Sequence, residues 1–314
     1  MSTTSDNPFK SLKLISLDKY FDEMVKLFGS KLLPKVLLLN GRKGIGKFTL
    51  VFHFLNYIFS REENYSYDVE KKLINPNSKF YNSILNNTCN DVIFLQANEG
   101  KIIKIDDVRN LKSTLSKSSL SINSRFTVID EVELLNINAV NALLKTLEEP
   151  SDNNFFILIN NQQTKLIETI SSRCIKNNIF LNSEQRKKVI NHFEINKKIN
   201  FLIDDFNNLT PGLLLKYNEL YNKYKISNSD NILSKLNKLL PAYKKDKDKE
   251  IINMSIFLID EFFYFLLKEN KNKIDTLLNL KSIVVYKIHD FITYNLNINS
   301  VLNSIELELK NVRR

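Results

Sequence analysis

The chain has no tryptophan and only six glycines, six prolines, three histidines and two cysteines in 314 residues. Several classes of protein are excluded by these shortages. Two cysteines, Cys89 and Cys174, cannot build a disulfide framework or a structural zinc site, which needs four ligands in closed geometry. His53, His192 and His289 are scattered without ligand spacing, so no structural metal is expected. Long apolar runs are also missing. The most apolar late stretch, MSIFLIDEFFYFLLK from Met254 to Lys268, is split by Asp260 and Glu261, whereas a membrane span needs about 20 nearly uninterrupted apolar residues. It reads as a buried core helix, and no membrane contact is expected. The opening MSTTSDNPFK has no apolar segment behind a basic one, so no secretory signal is expected and the cytoplasm is the expected location.

What is present describes a folded protein. A hydrophobic share of 43% with 25% charged residues is globular, and the length suits two or three domains. The net charge of +10 invites a nucleic-acid reading, because Lys and Arg that neutralise phosphates release counterions. Abundant Lys, Asn and Ile with little Gly is equally the usage of an AT-rich genome. Helix-turn-helix, RNP-like and zinc-finger patterns and a dense basic stripe are all lacking, so no site is placed on the charge.

The first half alternates apolar β-type runs with helical patterns, the signature of a parallel sheet covered by helices on both faces. The candidate strands are Val36–Leu39, Val92–Leu95, Phe126–Ile129 and Phe155–Ile159. A helix is expected from DDVRNLKSTL with Asp106 as N-cap, and another from NAVNALLKTLEEP with Val140, Leu143, Leu144 and Leu147 on one face. After about Phe180 only helical patterns remain, with breaks expected at LTPG, at SNSD and at PAYKKDKDKE (Pro241 to Glu250).

Three stretches carry chemistry. GRKGIGKFTL places Gly41, Gly46 and Lys47 in G-x-x-x-x-G-K, with Gly44 between, after a strand and before a helix. That context lets backbone N–H groups cradle phosphates at a helix N-terminus, with Lys47 reaching the outer phosphates. The next residue should carry a magnesium-binding hydroxyl, but it is Phe48. Thr49 comes one residue late, rotated by roughly 100 degrees on a helix. Next, FTVIDEVE ends a strand in Asp130 and Glu131, where open α/β sheets bind ligands; Asp130 could orient a magnesium shell and Glu131 could polarise water. Finally, SSRC (Ser171 to Cys174) offers an arginine that is badly placed for its own crevice but able to project onto a neighbouring subunit. Three residues such as SRC recur by chance, so alone they are a weak signal.

The run IDEVELLNINAVNALLKTLEEPSDNNFFILINNQQTKLIETISSRC, with GRKGIGKFT and IDDVRNLK, resembles the clamp-loader branch of the AAA+ ATPases over most of residues 20 to 180. The resemblance implies an α/β AAA+ P-loop domain (1–181), a small helical lid (182–228) and an all-helical C-terminal collar domain (229–314) for oligomerisation. Within that branch the chain most resembles the delta-prime type of bacterial DNA polymerase III, a fixed stator, rather than the gamma/tau motor type. Phe48 replaces the magnesium ligand, and Leu213 stands nearest to the motor's sensor-2 arginine. The motor's cysteine-rich zinc module is missing, with only Cys89 left.

Carried over, the resemblance makes Arg173 an arginine finger acting in trans, with Ser172 and Cys174 shaping its turn. Gly41, Gly44, Gly46, Lys47, Thr49, Asp130, Glu131 and Asn160 form a vestigial nucleotide site; Asn160 and Asn161 both fall where sensor 1 would be. It implies no tightly bound cofactor, with ATP or ADP and magnesium held weakly. The partners implied are gamma/tau and delta subunits in a hetero-pentamer, with the sliding clamp and primed DNA reached through the complex. Because Asp130 and Glu131 are preserved, a gamma/tau-type motor that itself hydrolyses ATP stays open as the alternative, and a DNA-binding module as a third.

Overall fold

The structure, a computed structural model, describes residues 8–97, 102–116, 124–197 and 209–312. Residues 1–7 of the opening stretch and 198–208 of the expected lid lie outside these. The chain divides into two compact units, Met1–Ile199 with Thr210–Leu213, and Asn200–Leu209 with Leu214–Arg314.

The first unit begins α1 (Asp18–Gly29), β1 (Val36–Asn40), α2 (Lys47–Phe59), α3 (Lys79–Leu85) and β2 (Val92–Leu95). It continues α4 (Ile105–Ser116), β3 (Arg125–Ile129), α5 (Ile137–Glu148), β4 (Asn154–Asn160), α6 (Glu168–Ser171), β5 (Ile175–Asn178) and α7 (Ser183–Lys197). The five strands form one parallel sheet in the order β2-β3-β4-β1-β5. Successive side chains of a strand point to opposite faces, so strands covered on both sides must be apolar throughout. Leu37, Leu39, Phe126, Val128, Ile157 and Ile159 join α1 and α2 in one core cluster, while Val36, Leu38, Ile129, Phe156 and Leu158 join α4, α5 and α6 in another. Phe126 is fully buried, stacked on Phe155 at 5.1 Å and met edge-on by Phe54 and Phe59.

The expected strands are present, and β5 is an addition. Its sequence, IKNN, has no apolar run because it is an edge strand with Ile175 63% exposed; its register comes from pairing Ile175–Asn178 against Leu37–Asn40. Asp106 is not an N-cap. The α4 helix starts at Ile105, and the Asp107 carboxylate accepts from the Lys104 N–H at 2.8 Å, placing the cap two residues earlier than the apolar spacing suggests.

The second unit holds the end of α8 (Pro211–Lys223), then α9 (Ile232–Asp246), α10 (Lys249–Glu269), α11 (Ile274–Thr293) and α12 (Ile298–Val312). The last four pack around Leu236, Leu240, Phe263, Ile288, Phe291 and Ile305. Pro241 does not break its helix. It sits exposed on α9 while Leu236, Leu239 and Leu240 are buried, and the helix runs on to Asp246, stopping at Lys247 with φ +54°. Buried leucines on one face offset the hydrogen bond that proline removes. The apolar stretch in α10 is a buried core helix, with Asp260 paired to Lys281 at 2.8 Å. Among the described residues no helix is long and apolar enough to cross a membrane.

His53 on α2 is fully buried, with Nε2 2.9 Å from the Ser11 carbonyl and Nδ1 3.0 Å from the Tyr67 hydroxyl. A carbonyl only accepts, so Nε2 carries the proton and Nδ1 accepts from Tyr67. Burial lowers the imidazole pKa from 6.5 to about 4. Above pH 6.5 it is neutral folded or unfolded. As the pH falls from 6.5 through 4, the unfolded chain takes up a proton that the folded one refuses, and about 3 kcal/mol of stability is lost. Denaturant titrations from pH 8 to pH 4 should show this loss in the wild type and much less of it in His53→Gln; equal slopes would contradict a neutral buried ring.

Candidate functional site

Polar groups collect where the strands end. The loop from Gly41 to Gly46 leaves β1 and enters α2 with Gly46 as the N-cap. A Cβ on Gly41 would lie 2.3 Å from the Ile179 carbonyl oxygen, so only glycine lets the loop pass β5. Gly44 has φ +82°, and a Cβ there would meet Thr210 Oγ1 at 2.5 Å and the Leu213 nitrogen at 2.8 Å. The segment Thr210–Leu213 is seated on the loop: Thr210 Oγ1 donates to the Lys43 carbonyl at 2.6 Å, and the Gly212 N–H donates to the Gly44 carbonyl at 2.8 Å.

Lys47 turns inward. Its Nζ donates to the carbonyls of Gly41 at 2.7 Å and Arg42 at 2.8 Å. Burial lowers its pKa from 10.5 to about 8, against the charges of Asp130 and Glu133, which raise it. Phe48 belongs to the core, its ring 5.2 Å from Phe9 and 5.6 Å from Phe94. Thr49 is half-buried one position on.

Asp130 follows β3, and burial, reinforced by Glu131, raises its pKa to about 6. Its Oδ1 accepts from the Glu131 N–H at 2.9 Å and from Asn161 Nδ2 at 3.3 Å. Glu131, with φ +54°, accepts through Oε1 from Lys43 Nζ and Gln163 Nε2, both at 3.0 Å. Buried Glu133 caps the turn after β4, its Oε1 and Oε2 accepting from the Asn161 N–H at 3.0 and 3.1 Å. Of the polar pair, Asn161 faces Asp130. Asn160 instead donates to Asn40, which donates to Asn178, both at 2.8 Å, in a ladder across β4, β1 and β5.

Gly41, Gly44, Gly46, Lys47, Asp130 and Glu131 thus share the C-terminal edge of the sheet. Ser172, Arg173 and Cys174 do not join them. They precede β5, and a parallel strand of four residues, about 13 Å long, separates its N-terminal end from the edge that carries the loop. Arg173 Nε donates to Glu148 Oε1 at 2.6 Å, with Nη2 against the same oxygen, and Nη1 donates to the Thr169 carbonyl at 2.8 Å. Ser172 Oγ donates to the Thr169 carbonyl at 3.2 Å and Cys174 Sγ to the Ile170 carbonyl at 3.0 Å, fastening the turn to α6. Burial pushes the Cys174 thiol up to about 11, so it stays protonated.

The loop residues lack one feature of a magnesium nucleotide site: position 48 supplies no hydroxyl. Lys47 is bonded to the loop's own carbonyls, and Lys43 is paired with Glu131. Sequence reasoning missed Lys43, Glu133, Gln163 and Thr210 because polar residues in loops carry no periodicity. It also gave no role to Glu148, although NALLKTLEEP drew attention to its surroundings. Gly44→Ala should cost at least about 2 kcal/mol, from left-handed strain plus collision with Thr210–Leu213. Gly29→Ala, with nothing within 4 Å, is the control, and equal denaturant midpoints for the two variants would contradict the seated segment.

A family model described as "DNA polymerase III, delta subunit" matches residues 17–181, more than half of the 314, with the loop, Asp130, Glu131 and the SRC turn inside it. The chain is 29% identical over 153 residues to DNA polymerase III subunit delta′ of Buchnera aphidicola subsp. Baizongia pistaciae, covering 46% of this chain and 43% of that protein. It is 39% identical over 93 residues to DNA polymerase III subunit tau of Bacillus subtilis, covering 29% and 16%. The match thus spans less than half the length of these curated relatives. A DNA polymerase III gamma-subunit-related protein of Thermotoga maritima superposes with TM-score 0.46 at 19% identity, covering 95% of this chain and 99% of that one. With a parallel sheet, a phosphate-type loop and an SRC turn inside the matched region, this chain belongs to the DNA polymerase III delta subunit family, with delta-prime subunits among its relatives.

Proposed function

We propose that the chain is a non-motor, delta-prime-type subunit of a clamp loader, acting with gamma/tau and delta subunits in a hetero-pentamer that places the sliding clamp on primed DNA in the cytoplasm. Its own site holds ATP or ADP weakly and hydrolyses little. Its contribution is Arg173, offered to the nucleotide site of a neighbouring subunit. The observation that carries this reading is the separation of Arg173 from its own loop by the length of β5. A guanidinium there cannot serve the chain's own phosphates, yet its side chain is 30% exposed and can reach an adjoining molecule. In trans, such a group stabilises charge developing on a transferring phosphoryl group.

Lys47 bonded inward and Phe48 packed into the core support a weak site. The intact pair Asp130 and Glu131 favours the second reading, a gamma/tau-type motor. In a reconstituted complex, Arg173→Ala should leave the melting temperature unchanged and lower DNA-stimulated ATPase about tenfold or more. Arg173→Lys should not restore it, because a point charge lacks the planar fork. Unchanged turnover in Arg173→Ala would remove the finger assignment.

A further inference from the structure

Three nitrogens of Arg173 already have partners in the chain by itself. Nε and Nη2 both meet Glu148 Oε1, and Nη1 is held by the Thr169 carbonyl and lies 3.4 Å from Ser172 Oγ. A long flexible side chain on a surface turn normally samples many rotamers, at an entropic cost whenever one must be selected. Here the selection is made in advance, and by rigid parts. Glu148 is the last residue of α5, whose first turn is capped by Asn136 and whose Ala139, Val140, Leu143 and Leu147 are buried against the sheet. Arg173 follows α6, anchored by fully buried Ile170 in the same core cluster as Leu147. The carboxylate and the guanidinium are therefore held by two elements packed on one core.

We propose that Glu148 is a positioning residue for Arg173. Its carboxylate holds the Nε and Nη2 edge so that the remaining N–H groups of the guanidinium are pre-aimed at an anionic group of an adjoining molecule, the terminal phosphate of its bound nucleotide. This rests on the reading of Arg173 as a finger acting in trans. Of the five N–H donors on a guanidinium, Glu148 engages two and the Thr169 carbonyl a third, which leaves the second N–H of Nη2 and that of Nη1, beside Ser172 Oγ, for a phosphate. Glu148 itself stays on its own chain and does not touch the nucleotide. Its side chain is 46% exposed, so the pair is screened by water and its worth lies in orientation rather than in stability.

The test is a double-mutant cycle in the reconstituted clamp-loader complex, reading DNA-stimulated ATPase as kcat and KM separately. Glu148→Gln and Glu148→Ala should each lower kcat about threefold or more with little change in KM, and Glu148→Asp should restore part of it. Adding Glu148→Ala to Arg173→Ala should produce no further loss, because the carboxylate acts only through the arginine. Melting curves of each variant, with Glu148→Gln as the gentler replacement, separate misfolding from misalignment. Full activity in Glu148→Gln and Glu148→Ala beside a crippled Arg173→Ala would overturn the positioning role while leaving the finger in place. Losses that multiply in the double variant would overturn it too. An Arg173→Ala complex that turns over normally would remove both the finger and the role built on it.

Discussion

Because β1, β3 and β4 are buried on both faces, a charged side chain can enter the α/β unit only where a strand begins or ends. The polar groups around the sheet are sorted by that constraint. At the C-terminal edge lie the loop of Gly41–Gly46, Asp130, Glu131 and the Asn40–Asn160–Asn178 ladder; at the N-terminal end of β5 lies Arg173. The sheet thereby sets a fixed distance between a place where phosphate could bind and a guanidinium that could act on phosphate. One subunit cannot close that distance, which is why the proposed function sends Arg173 to a neighbouring one.

The loop edge is electrostatically self-satisfied. Lys47 bonds to Gly41 and Arg42, Lys43 pairs with Glu131, and Gln163 and Asn161 fill further acceptor positions on Glu131 and Asp130. The charged side chains of the loop edge, Lys43, Lys47, Asp130 and Glu131, thus each have a bonding partner in the same chain. Thr210 and Gly212 add two bonds from outside the loop, to carbonyls rather than amides, so the loop backbone is braced in one shape. A nucleotide that recruited Lys47 would have to replace its bonds to Gly41 and Arg42, with no magnesium hydroxyl at position 48 to tip the balance. In the proposed function, loop and Arg173 would have different fates within one fold, the first kept as structure and the second offered to a neighbour.

How much of this was legible from sequence follows from where periodicity exists. The strands β1 to β4, the helices of NALLKTLEEP and MSIFLIDEFFYFLLK, and the glycine loop were readable, because an apolar run, an apolar stripe and a G-x-x-x-x-G-K spacing each leave a pattern. Edge strand β5 left none, being exposed and held by register with Leu37–Asn40. The break expected in PAYKKDKDKE falls at Lys247–Asp248 rather than at Pro241, since a proline on the solvent face of α9 is tolerated when the opposite face is well packed. The site was legible as a set of residue types but not as a circuit. That Asn161 rather than Asn160 faces Asp130, that Thr210 sits on the loop, and that Glu148 meets Arg173 all depend on tertiary placement of single polar side chains.

The central proposal is that the loop of this chain, with Phe48 in the magnesium position and Lys47 bonded inward, holds nucleotide weakly at most. Isothermal titration of the isolated chain with ATP, with and without magnesium, tests it most directly. The account predicts binding no tighter than millimolar and no dependence on magnesium. Saturable, magnesium-dependent binding in the micromolar range, with turnover, would contradict it and assign the chain to the motor type.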